Sequence, residues 1–330
     1  MVTPAKKLRI AIETCELPHM AFQVQFKAMR LRIEDALDGA ASRIERVVGP
    51  SRVGKSMLIQ ALRRSFPETK IDGRRRVPVL VVPIPTPVSP LQLPSSVLDA
   101  LGLPVRVSMK SGHLFTRMRD QLKLAGTRVV IFEEAGHLVE LGARVPPRAA
   151  GDWFKMLADS LNLTLLLFGV PRLERMFEHN EQLRMRASAA RWMMPYDSRL
   201  PDSLQAFHGC VATYANLFKE AGYPIEVPAP ALTYQCYLLT GGLIGVLSRF
   251  MQELASQMAF ESPRPLTFVD CQAAALCIEA AGSRLIPAFE RPEAMLADIA
   301  PAALHQAFVQ VMQDNNISVP LLPEMCGGAQ

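Results

Sequence analysis

The sequence predicts an α/β domain built on a parallel sheet and followed by an all-helical part. Three observations carry that expectation. Apolar runs at 44–48, 77–84, 128–134 and 163–169 are short and largely continuous, as in strands covered on both faces. Segments with three- to four-residue apolar spacing separate them, and such alternation calls for crossover connections and parallel pairing. From about residue 200 only helical patterns remain.

Residues 1–43 read as an N-terminal helical extension. Phe22, Phe26, Met29, Ile33 and Leu37 mark one helix face, and Gly39 lies near its end. Ile44–Val48 is the first strand and runs into GPSRVGKS, after which Met57–Phe66 resumes a helical pattern. VPVLVVPI at 77–84 is the second strand. A proline-rich loop follows it (Pro83, Pro85, Pro87, Pro90, Pro94), then helices at 97–103 and 114–124. RVVIFEE at 128–134, a helix at 153–161 and LTLLLFG at 163–169 continue the alternation, and Trp192–Met194 supplies a fifth, short strand. Residues 44–200 thus form the expected core. Helices at 203–221, 229–240, 243–260 and 268–282 make residues 201–284 a helical subdomain. Residues 285–330 form a Pro- and Ala-rich tail with one helix near 301–314, read either as a partner-docking segment or as a loose terminus.

Composition narrows the class. Of 330 residues, 49% are apolar and 20% charged, which suits a globular chain and excludes a disordered one. No apolar run approaches the ~18–20 residues of a membrane span, and the first residues lack a signal-peptide core. Six cysteines with no CxxC spacing argue against a disulfide framework or zinc ribbon. A cytoplasmic protein with reduced thiols is expected, with Cys271 and Cys277 in its core. The net charge of +5 divides into +12 over residues 1–200 and −7 over 201–330. A basic front part suits a polyanionic partner, although two solvated surfaces of opposite sign would look the same.

Gly49-Pro50-Ser51-Arg52-Val53-Gly54-Lys55-Ser56 satisfies GxxxxGK[ST] between an expected strand and an expected helix. Glycines at both ends let the backbone curl so that N–H groups converge on phosphate oxygens, and the following helix adds its positive dipole end. Residues Gly49 to Met57 are therefore the candidate ATP-binding run, with Lys55 directed at the β/γ-phosphates and Ser56 at Mg²⁺. Such a loop needs acids across the sheet, and Glu133-Glu134 end the strand at 128–134. Glu133 is the candidate metal contact, with Ser56, and Glu134 the group that orients or deprotonates water. His137 lies three residues on. With no second ligand at a plausible spacing, it reads as surface or supporting packing rather than as a metal ligand.

At this point the chain resembles the TniB/TnsC family of AAA+ transposition regulators. The resemblance rests on VPVLVVPIPTPVSPLQLPSSVLDALGLP, on EEAGHL after the acidic strand, on WFKMLADSLNLTLLLFG, and on Asn180-Glu181-Gln182-Leu183-Arg184-Met185-Arg186. It covers roughly residues 20–195 in order, and the C-terminal third is similar in helical character only. The resemblance implies a P-loop AAA+ fold: a parallel five-stranded sheet flanked by helices, with a helical C-terminal lid. It implies an ATPase that binds double-stranded DNA without sequence preference and assembles with itself as a ring or filament. Such a protein links a TniQ-like target selector, or in some systems a CRISPR-guided complex, to the transposase. It places Arg186 as an arginine finger, with Arg184 and Arg191 as rivals. It also directs attention to Arg106, Lys110, Arg117, Arg119, Arg144 and Arg148 as phosphate contacts along the DNA; the denser run Arg74–Arg76 reads equally as a solvated turn.

Three departures from the family pattern stand out. Glu133 replaces the usual Asp, Val170-Pro171 stands where a polar sensor is expected, and Thr240–Gly245 lacks a second arginine sensor, Arg249 being nearest. Slow, assembly-dependent hydrolysis is the expectation, with nucleotide acting mainly as a switch. The alternatives from other classes are a P-loop signalling or secretion-associated switch that binds proteins rather than DNA, and a nucleotide-binding scaffold without turnover.

Overall fold

The computed structural model describes residues 3–17, 19–86, 92–105, 111–140, 146–279, 287–290 and 299–321. The chain divides into two compact units, residues 21–193 and residues 1–20 with 194–330.

The chain opens with α1 (Pro4–Thr14), which packs in the second unit, and α2 (Met20–Leu37). In the first unit β1 (Ile44–Val48) leads into α3 (Lys55–Ser65). A hairpin of β2 (Thr69–Ile71) and β3 (Arg74–Arg76) comes next. Its turn is Asp72-Gly73, both with positive φ (51° and 73°), the backbone that two-residue hairpin loops demand. β4 (Val79–Pro83), α4 (Gln92–Ala100), α5 (Ser111–Ala125) and β5 (Val129–Glu133) follow. After a 3₁₀ turn at Ala135–Val139 come α6 (Pro147–Leu161) and β6 (Thr164–Gly169). A second 3₁₀ turn, Pro171–Leu173, precedes α7 (Glu174–Glu178), α8 (Glu181–Arg186) and β7 (Arg191–Trp192).

The main sheet has the order β4-β5-β6-β1-β7, and every pairing in it is parallel. Its centre is dry: Val129 to Phe132 and Leu165 to Phe168 are fully buried, which is why these strands read as unbroken apolar runs. Phe132, Trp153 and Phe154 meet edge to face beside the sheet, fixing α6 against β5.

The second unit is helical. It contains α9 (Pro201–Glu220), α10 (Ala229–Thr240), α11 (Ile244–Gln257), α12 (Phe268–Glu279) and α13 (Pro301–Asp314), with α1 packed on α11 and α9 and burying Ala5, Leu8 and Ile12. α13 buries Leu304, Ala307, Phe308, Val311 and Met312 and packs on α10. Arg199 donates to Asp197 and to the Pro320 carbonyl, tying the segment beyond α13 to the start of the unit. Among the described residues no single helix is long and apolar enough to cross a membrane.

Several expectations need correction. The helical preface is two helices belonging to different units. The buried face of α2 keeps Met29 and Ile33 from the expected stripe but is completed by Gln25 and Ala36, while Leu37, Phe22 and Phe26 are half-buried and the two phenylalanines stack on each other at 5.9 Å. Cys271 is buried as expected, but Cys277 is exposed, because it falls on the outer side of α12 with Leu276. The 74–76 run is a strand, not a solvated turn: Arg75 donates to Glu68 and to the Leu101 carbonyl.

Candidate functional site

The site lies at the carboxyl end of the parallel sheet, where ligands gather in open α/β folds. β1 ends at Val48, whose carbonyl accepts from Met193 N at 2.8 Å, and Gly49 N donates to Gly169 O at 3.2 Å. A Cβ on Gly49 would lie 2.3 Å from the Met193 carbonyl oxygen, so only glycine fits where the loop leaves the sheet. The chain then turns through Pro50–Val53, with Arg52 in the left-handed region (φ 63°), and Gly54 (φ 107°) opens α3. Ser51, Arg52, Ser56 and Met57 are exposed, whereas Pro50 and Val53 are buried.

Lys55, the first residue of α3, is only 6% exposed. Its Nζ donates to the Gly49 and Pro50 carbonyls at 2.9 and 2.7 Å, so the loop is wound around its own lysine. Burial pushes the ammonium down to about 8, opposed by the nearby Glu134 and Glu133 carboxylates. Next to it, Ser56 Oγ donates to Glu133 Oε1 at 2.5 Å, bringing together a hydroxyl from α3 and a carboxylate from the end of β5.

Glu134 follows with φ 56° and ψ 37°, a left-handed conformation that a residue with a Cβ adopts only when its surroundings impose it. Nothing in the sequence signals this strain. His137 Nδ1 lies 3.0 Å from Thr86 Oγ1 and 3.2 Å from the Ile84 carbonyl, beyond the end of β4. Beyond β6, Val170 is extended and Pro171 opens a 3₁₀ turn, so neither side chain offers a polar atom to the site. Arg172 instead pairs with Glu140 at 3.0 Å.

The finger candidates differ in surroundings. Arg186, half exposed at the end of α8, pairs with Asp159 of α6. α8 is capped by Asn180, whose Oδ1 accepts from Leu183 N while its Nδ2 donates to Asp152. Arg184 is exposed. Arg191 lies 3.8 Å from Glu45, a fully buried carboxylate on β1 that also accepts from Ser188 and pairs with Arg32. That buried acid was not legible, because a lone Glu in a short apolar strand looks like an exposed position.

Of the phosphate-contact candidates, Arg106, Lys110 and Arg144 lie outside the described residues. Arg117 on α5 donates to the Pro104 carbonyl, Arg119 pairs with Asp120 at 3.6 Å, and Arg148 is exposed in the first turn of α6.

A loop of this geometry on a five-stranded parallel sheet, with an acidic pair where β5 ends on the far side of β6 and helices beyond, is the arrangement of the AAA+ ATPase fold. Solved structures share the fold. The ORC2 protein of Aeropyrum pernix (ADPNP-ADP complexes) matches 82% of this chain and 72% of its own at TM-score 0.60 and 12% identity. Cdc6p from Pyrobaculum aerophilum matches 94% and 84% at TM-score 0.59 and 10% identity. The A. pernix ORC1 protein in complex with DNA matches 92% and 81% at TM-score 0.57 and 14% identity. Identities this low establish the fold alone. No curated protein matches in sequence. Residues 32–194 match the family described as bacterial TniB protein.

Proposed function

We propose that this chain is an ATP-dependent, DNA-binding regulator of transposition that assembles with itself on duplex DNA and links a TniQ-like target selector to the transposase. The observation that carries the reading is the 2.5 Å contact of Ser56 with Glu133 beside the lysine-wound loop, within a core that matches the TniB family. Residues 44–200 serve as the ATPase core, and residues 201–284 serve as the lid, extended to take in α13.

In this reading Gly49 to Met57 hold ATP, and Lys55 exchanges two backbone carbonyls for phosphate oxygens. Ser56 and Glu133 form an all-oxygen pair, the donor chemistry Mg²⁺ prefers when substrate and water supply the rest. Bound there, Mg²⁺ would neutralise charge on the β- and γ-phosphates. Glu134 takes a proton from the attacking water, and Arg186 of a neighbouring subunit meets the γ-phosphate. The longer Glu133 and the apolar Val170-Pro171 make turnover slow and dependent on assembly. Arg117, Arg119 and Arg148, with Arg106, Lys110 and Arg144, contact DNA phosphates, which positions the assembly without reading sequence.

The test combines the purified chain, random-sequence duplex DNA and a non-hydrolysable ATP analogue. Binding should require nucleotide, weaken steeply with salt through counterion release, and give DNA-wrapped assemblies on imaging. Lys55→Ala should abolish all three. Nucleotide binding without any DNA association would overturn the reading in favour of a protein-binding switch.

A further inference from the structure

We propose that His137 is a positioning residue for Glu134: it clamps the strained turn after β5 to the end of β4 and so holds the carboxylate where hydrolysis needs it. This rests on the reading of Glu134 as the group that activates water.

The argument starts from strain. Glu134 is a left-handed, non-glycine residue at the mouth of the site, and such a conformation persists only where neighbouring contacts over-determine it. Within the turn, His137 N donates to the Glu134 carbonyl at 3.0 Å, closing the ring on the strained residue. The histidine side chain then leaves the turn altogether. A carbonyl oxygen can only accept, so the 3.2 Å contact with Ile84 O puts the hydrogen on Nδ1, and the same hydrogen faces Thr86 Oγ1 at 3.0 Å. Ile84 N in turn donates to Glu133 O at 2.9 Å, so β4 grips the acidic pair from both sides, by backbone before Glu134 and by His137 after it. On the far side of the ring, Nε2 lies 3.8 Å from Glu140 Oε1, and Arg172 Nη1 reaches that same oxygen at 3.0 Å. The imidazole therefore joins the carboxyl ends of β4 and β5, with the Glu140–Arg172 ion pair lying beside its far edge.

This arrangement gives His137 work that a surface histidine would lack. Thr86 lies three residues past the end of β4, so the clamp is rooted where the chain leaves the sheet towards α4 and α5, the latter bearing Arg117 and Arg119. A displacement of that segment would reach Glu134 through one side chain.

Three variants test the proposal on the full-length chain: His137→Ala, which removes the clamp; His137→Asn, whose amide can donate to Ile84 O from nearly the same place; and Thr86→Val, which removes one of two acceptors. The first readout is amide hydrogen exchange. His137→Ala should quicken exchange at 135–139 with β1 and β6 unchanged, His137→Asn should restore protection, and Thr86→Val should fall between. The second is DNA-stimulated ATP turnover. His137→Ala should lower kcat by about 10- to 100-fold, a fraction of what a general base contributes, with KM for ATP within about twofold because Lys55 and its loop are untouched. Unchanged exchange at 135–139 in His137→Ala overturns the clamp, as does loss of protection across the whole sheet, which would mark a merely structural residue. If the wild-type chain turns over no ATP, the reading of Glu134 fails, and the exchange measurement still decides whether the clamp exists.

Discussion

The first glycine of the loop and Met193 are in backbone contact: a Cβ added to Gly49 would stand 2.3 Å from the Met193 carbonyl oxygen. Met193 N also donates to Val48 O, so the segment after β7 is fastened to the chain at the point where the loop begins. Neither backbone can retreat without breaking a ladder hydrogen bond. Gly49→Ala should therefore cost about 1–3 kcal/mol of stability, as overpacked sites do, and reduce affinity for ATP at least tenfold. Chemical denaturation and titration with a fluorescent ATP analogue check both. A variant as stable and as tight-binding as wild type would show that the loop is not held against Met193.

Arg186 and Arg191 should separate cleanly, although both were candidates for the same role. Arg191 faces buried Glu45, which keeps Arg32 at 3.1 Å when Arg191 is removed, so the loss of one of its two cations should cost about 1–3 kcal/mol. Arg191→Ala should thus lower the melting temperature markedly. Arg186 makes a half-exposed pair with Asp159, worth at most about 1 kcal/mol. Arg186→Ala should leave the melting temperature almost unchanged yet reduce assembly-dependent ATP turnover about 10³-fold, as expected for a trans-acting arginine. Mixing Arg186→Ala with Glu134→Gln subunits should recover activity, since each lacks a different half of the shared site. No recovery on mixing would place the arginine's effect within its own subunit.

What the sequence disclosed follows from how local each signal is. The buried strands β4, β5 and β6 were legible because strands covered on both faces carry unbroken apolar runs, and the loop was legible because its eight residues are consecutive and sit between a strand and a helix. The β2–β3 hairpin was missed although Asp72-Gly73 announces it: three arginines in a row looked like a solvated turn, and the partner that neutralises Arg75 is Glu68, across the hairpin. The left-handed Glu134 and the reach of His137 to Thr86 were invisible for a different reason. They depend on contacts between residues about 50 positions apart, which spacing along the chain cannot report.

Acid should expose one ion cluster in the helical unit. Asp270, in the first turn of α12, accepts from Arg264 Nη1 and Nη2 and from Thr267 N and Oγ1. The Arg264 hydrogen bonds chiefly hold its carboxyl down at about 2, well below the usual carboxylate range. A depressed folded-state value means that the unfolded chain takes up the proton first. The cluster therefore stabilises fully above about pH 4 and loses its contribution as pH falls towards 2. Asp270→Asn should destabilise the protein by about 1–2 kcal/mol at pH 7, in line with hydrogen bonds to charged groups, and the gap from wild type should shrink as the pH is lowered from 5 to 2. A gap independent of pH would show that the carboxylate's charge is not what α12 depends on.

α13 offers a test of whether the C-terminal segment is free to serve a partner. Phe308 is 1% exposed, its ring faces the Arg199 guanidinium at 5.7 Å, and α13 lies against α10 with Ala307 and Val311 beside the turn at Gly241. A docking arm that waits for its partner would have to expose this apolar face, at a cost comparable to unfolding part of the unit. Phe308→Ala should therefore cost about 3–5 kcal/mol, as large-to-small changes at buried aromatics do, with protease sensitivity rising through 229–257 as well as in α13. Stability equal to wild type would return α13 to the role of a detachable segment. The expected loss would instead confine any partner-docking role to residues outside α13.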